Sequence, residues 1–225
     1  MSFMKRYMAV LLALIMIVLT FSACGDTVIV DKDGNEHTPL MKKGEFVQDK
    51  YGNLLEEVEN EKGEKVTQPF DFPVIYVKDK NTIENAFFVV NVPSDWKYEE
   101  NLNIFRIQHD SKCSEEGKAM CELSFEDSTT GDVSVVFGNA FAREIMLQNR
   151  MPDLVGKVEK YETSLFGKEV SAYKCHYSTG STVYFYAFAH AYSAIGIKFI
   201  ISDECADKIS PEEFITENLT LKSFE

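Results

Sequence analysis

The side chains best suited to covalent chemistry in this 225-residue chain are five cysteines and four histidines. Cys24 stands apart from the rest. It follows two small residues, Ser22 and Ala23, at the end of an uncharged apolar run from Ala9 to Phe21. A cysteine reacts through its thiolate, which is a good nucleophile, so Cys24 is the candidate for covalent modification. The other four, Cys113, Cys121, Cys175 and Cys205, show neither CxxC spacing nor the Cys/His spacing of a zinc site. In a compartment that permits disulfides they would pair. Cys113 and Cys121 flank Ser-Glu-Glu-Gly-Lys-Ala-Met, which reads as a turn between two strands. The expected bonds are therefore Cys113–Cys121 and Cys175–Cys205, with free buried thiols as the alternative.

The histidines, His37, His109, His176 and His190, are scattered, and none belongs to an HExxH array. There is no G-x-S-x-G elbow, no phosphate loop and no G-x-G-x-x-G. Neighbouring acids such as Glu99-Glu100, Glu115-Glu116 and Glu212-Glu213 point in different directions, so they do not by themselves form an acid/base couple. Asp31-Lys32-Asp33-Gly34-Asn35 has the acids of a calcium loop, but its glycine comes too early and the closing glutamate is missing. It reads as a turn. The sequence assigns no catalytic residue, no metal site and no cofactor, and the expectation is a protein without enzymatic activity.

The elements around Cys24 explain why it matters. Lys5 and Arg6 form a positive start, the run from Ala9 to Phe21 follows, and Ser22-Ala23 closes it, which is the layout of a secretory signal. The run is well short of the ~20 apolar residues that span a bilayer. Phe21-Ser22-Ala23-Cys24-Gly25 resembles a bacterial lipobox, with Phe21 standing where the family has leucine. The resemblance implies cleavage between Ala23 and Cys24 and a diacylglycerol on the Cys24 thiol. Two acyl chains hold a protein stably on a membrane where one does so only marginally. The expected location is the outer face of the bacterial cytoplasmic membrane, or the outer membrane in a Gram-negative host. A plain secretory signal and a transmembrane anchor are the alternatives.

The chain has 23 Lys and Arg against 36 Asp and Glu, a formal net charge of −13. Removing residues 1–23 takes away Lys5 and Arg6 and no acid, leaving 21 − 36 = −15. Such a surface does not bind nucleic acid through phosphates, and it repels anionic headgroups. Anchoring therefore falls to the lipid. The partners expected are the membrane, through Cys24, and a protein of the envelope.

After the signal (1–23) the chain divides by texture into an acidic segment, 24–80, and a globular domain, 81–225. In the first, three polar turns centred on glycine recur at Val30–Glu36, Val47–Asn53 and Glu59–Lys65. They read as two or three small hairpins or as a largely unfolded spacer whose task is reach. In the second, strands are expected at 86–92, 103–108, 120–126 and 132–137. A helix capped by Asn139 follows and stops at Met151-Pro152. Three strands come next, at 157–165, 169–177 and 181–190, joined by tight turns, and then a fourth at 192–202. A helix from Pro211 with Ser210 as its cap precedes a last extended stretch to Phe224. Local hairpins dominate, so the fold class is α+β: a mainly antiparallel sheet flanked by helices.

Three stretches give the domain a likeness to a known family. They are Phe88-Val89-Val90-Asn91-Val92-Pro93-Ser94-Asp95-Trp96, the hairpin Leu165-Phe166-Gly167-Lys168-Glu169 running on to Ala172-Tyr173, and the closing Leu219-Thr220-Leu221-Lys222-Ser223-Phe224. Over residues 83–225 the chain resembles the PsbP-like (Mog-type) domains. The resemblance implies an antiparallel sheet sandwiched by helices, in a family that mostly binds partners and shares no catalytic set.

One patch offers a surface. Along 182–190, Tyr184, Tyr186, Phe188 and His190 alternate onto one face. Aromatic rings with hydroxyl and imidazole tips suit a ligand, and they equally suit core beneath a helix. The leading expectation is a non-catalytic, protein-binding lipoprotein. A small-molecule or glycan binder using Tyr184, Tyr186 and His190 is the first alternative, and a hydrolase with an unrecognised site is the second.

Overall fold

A computed structural model describes residues 27–31, 33–73, 75–101, 104–109, 119–126 and 132–224. The signal, Cys24, Cys113 and Gly131 lie outside these. The described residues fall into two compact units, those within Met1–Val47 with Glu56–Gln68, and those within Gln48–Leu55 with Pro69–Glu225.

The first unit is built from short hairpins. β1 (Ile29–Val30) pairs with β2 (Glu36–His37), and β3 (Met41–Lys42) with β4 (Glu45–Phe46). β5 (Leu54–Glu59) pairs with β6 (Lys65–Phe70), a hairpin whose two ends belong to the second unit. The repeated turns share one construction. Asp31 Oδ1 accepts from the backbone N–H of Asp33 and Asn35, Asp49 Oδ1 from Tyr51 and Asn53, and Asn60 Oδ1 from Lys62 and Glu64. In each, the fifth residue's side chain bonds back to the first, as when Asn35 Nδ2 donates to Asp31 Oδ2 at 2.9 Å. The fourth residue is the glycine, at φ +85°, +89° and +75°, a region that costs a residue with a Cβ about 1–2 kcal/mol. Of the two readings of this segment, the structure has hairpins.

The second unit is a layered α+β fold. Its main sheet has seven strands in the order β10-β11-β12-β16-β15-β14-β13. A smaller sheet has the order β17-β9-β8-β7. β7 spans Tyr76–Val77, β8 Thr82–Glu84, β9 Phe88–Asn91, β10 Trp96–Asn101, β11 Ile104–His109 and β12 Ala119–Glu126. Helix α1 (Val133–Arg150) follows, then β13 (Glu159–Leu165), β14 (Lys168–Tyr177), β15 (Ser181–His190) and β16 (Ser193–Ser202). Helices α2 (Asp203–Ala206) and α3 (Pro211–Asn218) and strand β17 (Leu219–Leu221) close the chain. Every described pairing of these strands is antiparallel.

Period-2 alternation on β16 decides both faces of the main sheet. Ile195, Ile197, Phe199 and Ile201 are buried in one cluster with Tyr186, Phe188, Phe88, Val90, Trp96 and Phe214. Here Trp96 stacks on Phe214 of α3 with ring centroids 4.1 Å apart. On the opposite face Ala194 joins Tyr173, Cys175, Val183 and Phe185 beneath α1. With both faces covered, β15 and β16 carry apolar residues on each face, and each layer holds the next by burial worth ~25 cal/mol per Å² of apolar surface.

The start of α1 corrects the sequence reading, which puts a strand at 132–137 and a cap at Asn139. The helix begins at Val133, and Asp132 caps it, its side chain accepting from Ser134 N at 2.8 Å. The β-branched Val133, Val135 and Val136 favour a strand by propensity. However, Val136, Phe137, Ala140, Phe141 and Ile145 recur at helical spacing and pack on the sheet, and this burial prevails. The helix ends as expected, at Met151 before Pro152.

Candidate functional site

The aromatic face of β15 is core. Tyr186 is fully buried, as is its neighbour Phe188, while Tyr184 and His190 are half-buried. Tyr161 of β13 donates its hydroxyl to Glu212 Oε1 of α3 at 3.1 Å and reaches the Tyr186 hydroxyl at 3.5 Å. Phe166 packs on Phe188 at 5.8 Å and on Phe88 of β9 at 5.9 Å. His190 bonds through Nε2 to the Lys222 carbonyl at 2.7 Å, with Phe87 and Phe224 against its ring. Burial raises the phenol pKa values of Tyr161, Tyr184 and Tyr186 above the ordinary range. Of the two readings of Tyr184, Tyr186 and His190, core or binding surface, the packing is that of core: α3 and the β17-β9-β8-β7 layer lie over Tyr186 and Phe188, and Tyr184 and His190 stay half-buried.

The opposite face holds a polar cluster that the sequence reading missed. Glu144 of α1 is 2% exposed. Tyr177 of β14 donates to its Oε2 at 2.5 Å, and the Cys175 thiol lies 3.9 Å from the same oxygen. Arg143 Nη2 stands 3.8 Å from Oε1. The fully buried Tyr173 hydroxyl has no hydrogen-bond partner among the described residues. Burial, and then Glu144, push the Cys175 thiol up to about 12. A thiol held so firmly protonated is a weak donor and no nucleophile. The signal for Glu144 was its place on the helical stripe of Val136, Phe137, Ala140 and Phe141, where an acid interrupts an apolar series.

The cysteine pairing also needs correction. Cys121 and Cys175 are free and buried, so neither expected bond, Cys113–Cys121 or Cys175–Cys205, is present. Cys205 is disulfide-bonded. Cys121 sits mid-strand on β12 opposite Phe199, where its side chain is core rather than the end of a turn. The Cys24 expectation lies outside the described residues.

Two histidines meet carboxylates. His176 Nε2 lies 3.2 and 3.1 Å from the two oxygens of Asp203, both residues half exposed. No hydroxyl or thiol bonds to this ring among the described residues, so the pair lacks a nucleophile. His37 of β2 lies between two acids, with Nδ1 3.0 Å from Glu56 Oε1 and Nε2 3.2 Å from Asp31 Oδ2. The acids sit at opposite edges of the ring and do not converge on a point. Among the described residues no group of three or more His, Cys, Asp or Glu is arranged to hold a metal ion.

Two turns of the second unit bring exposed aromatic rings together. Tyr51, in the 49–53 turn, and Tyr192, in the β15–β16 turn, are each more than half exposed and meet with ring centroids 5.6 Å apart. Lys50 Nζ stands 5.0 and 4.7 Å from their centroids. Elsewhere, a shallow concavity of about 300 Å³ lies beside Pro93, Trp96 and Tyr98, with Lys80 and Lys97 on its rim. No described helix is long and apolar enough to cross a membrane.

No protein-family model matches the chain, and no curated protein does. A solved structure of a Bacteroides thetaiotaomicron VPI-5482 protein aligns at 14% identity and a TM-score of 0.36, over 61% of this chain and 46% of that one. The chain thus spans under half of that protein's length, and so loose a likeness carries nothing on fold family or function.

Proposed function

We propose that the chain is a cell-envelope lipoprotein, anchored through a diacylglyceryl group on Cys24, whose larger unit binds a protein partner without catalysing a reaction. The observation that carries this reading is Phe21-Ser22-Ala23-Cys24-Gly25 directly after the uncharged run from Ala9. Support for the binding role comes from the likeness to PsbP-like domains and from the Tyr51–Tyr192 pair with Lys50. Tyrosines offer large contact area at low side-chain entropy, and they are enriched where proteins meet. In this reading the hairpins of the first unit space the binding unit from the bilayer.

The test is a mild-detergent pull-down of the tagged full-length protein from its own membranes, with Cys24→Ala as control, read by native mass spectrometry. The expected result is a lipid mass on the N-terminal peptide, absent in Cys24→Ala. A stoichiometric protein lost in Tyr51→Ala/Tyr192→Ala is expected with it. An unacylated mature N-terminus would overturn the anchor. An acylated chain that retains no protein, or retains one indifferent to both tyrosines, would overturn the binding surface.

A further inference from the structure

We infer that His37 is a proton-controlled clasp that ties the β1–β2 hairpin to the β5–β6 hairpin when its ring is charged and lets go when the ring is neutral. Both ring nitrogens face carboxylate oxygens, Nδ1 toward Glu56 at 3.0 Å and Nε2 toward Asp31 at 3.2 Å. A neutral imidazole has one N–H and one lone pair, so only the imidazolium can donate to both acids at once. The three side chains are mostly enclosed, with exposures of 15% for His37, 18% for Asp31 and 8% for Glu56. The clasp is therefore partly shielded from water.

Among the described residues, the charged groups facing the ring are Asp31, from the turn between β1 and β2, and Glu56, from β5. β6 contributes the neutral Gln68, whose Nε2 donates to the same Glu56 oxygen at 2.7 Å. The Thr38 backbone N–H also donates to Glu56, and a backbone bridge joins Pro39 to it. Asp31 is held well below the usual carboxylate range, first by the Asn35 side chain. Burial works to raise Glu56, but the bonds from Gln68 and His37 prevail and lower it. Near neutrality only His37 changes charge. Burial alone would lower its pKa, yet the hydrogen bonds to Glu56 and Asp31 outweigh that and raise it. With the folded value raised above the unfolded 6.5, the stabilisation is complete below 6.5 and is lost as pH rises through the folded value. The clasp is therefore closed in mild acid and opens as pH rises through the folded His37 midpoint.

The experiment uses the full-length protein in detergent micelles between pH 5 and 9. NMR follows the His37 ring, and amide hydrogen exchange, corrected for its intrinsic pH dependence, follows residues 36–40 and 56–59. The expected result is a His37 midpoint above 6.5 and a loss of protection with the same midpoint. Protection should fall about tenfold for each pH unit separating the folded and unfolded midpoints. His37→Gln should abolish the step. Asp31→Asn keeps the turn, because Asn60 does the same job in the 60–64 turn, and should move the midpoint to lower pH. A His37 midpoint at or below 6.5, a step that survives in His37→Gln, or a midpoint unmoved in Asp31→Asn would each overturn the clasp. If His37→Gln leaves the hairpins unprotected at every pH, the Asp31→Asn midpoint decides.

Discussion

Tyr177 and Glu144 meet at 2.5 Å from different layers of the fold, one on β14 of the main sheet and the other on the helix that covers it. The contact satisfies a carboxyl group whose other oxygen has Arg143 at 3.8 Å, on a helix that covers the cluster of Val136, Tyr173, Cys175 and Phe185. Glu144→Ala leaves a cavity and an unpaired hydroxyl, and is expected to cost about 2–4 kcal/mol. Glu144→Gln keeps an acceptor and should cost about 1 kcal/mol. Urea unfolding of both, with Tyr177→Phe and the double variant, gives the coupling. Additive costs would mean that the two groups do not act together.

Gly52 carries two constraints where Gly167 carries one. Both have positive φ, +89° and +71°. A Cβ on Gly52 would stand 3.1 Å from the Ala86 Cβ and 3.3 Å from the Phe87 ring, whereas one on Gly167 would meet nothing within 4 Å. Gly167→Ala is expected to cost the backbone strain alone, about 1–2 kcal/mol. Gly52→Ala should exceed that by about 1 kcal/mol or more, because core rings must shift. Equal midpoints in urea would refute the steric argument.

His190 should respond to pH with the opposite sign to His37. Burial lowers its pKa, the bond to the Lys222 carbonyl works against that, and Lys168 adds to the lowering. A folded value below 6.5 gives stability that is present above 6.5 and lost as pH falls through the folded value. Half the ring is screened by water, so the effect should stay below about 1 kcal/mol. Urea midpoints of the larger unit at pH 7.5 and 5.0 should separate more in the native protein than in His190→Gln. An equal separation would remove His190 as the cause.

The thiols should divide into classes on alkylation. Cys121 is buried and its thiol is raised far above the usual range by burial and then by Glu122, and Cys175 is raised to about 12. Neither should react with iodoacetamide in the native protein at pH 8, and both should react in denaturant without reductant. Cys205 should react only after reduction. Labelling of native Cys175 within minutes would contradict its enclosure under α1.

Much of the second unit was legible because its signals are local. Ser181–His190 matches the expected strand end to end, and the Ser210 cap with Pro211 starts α3 where the sequence puts it. The glycine-centred turns were also visible, since each is closed by residues four apart. What was hidden depends on distant partners. Tyr184 and Tyr186 read equally well as surface or core until α3 and the smaller sheet are placed over them. Glu56 lies 19 residues from His37, and Tyr177 lies 33 from Glu144, and no periodicity links such pairs. Asp132 was passed over as a cap because three valines follow within four residues, and their strand propensity conceals the helix that burial selects.

The self-closing turns have a bearing on how this gene can change. Asp31 with Asn35, Asp49 with Asn53 and Asn60 with Glu64 each close a turn by bonds within five residues. Duplicating a coding segment for a turn such as 60–64, together with its flanking strands, would carry the turn's closing bonds along with it. Unequal recombination between such near-copies would thus lengthen or shorten the protein in whole steps. Descendants could differ in copy number here while the seven-stranded sheet stays the same.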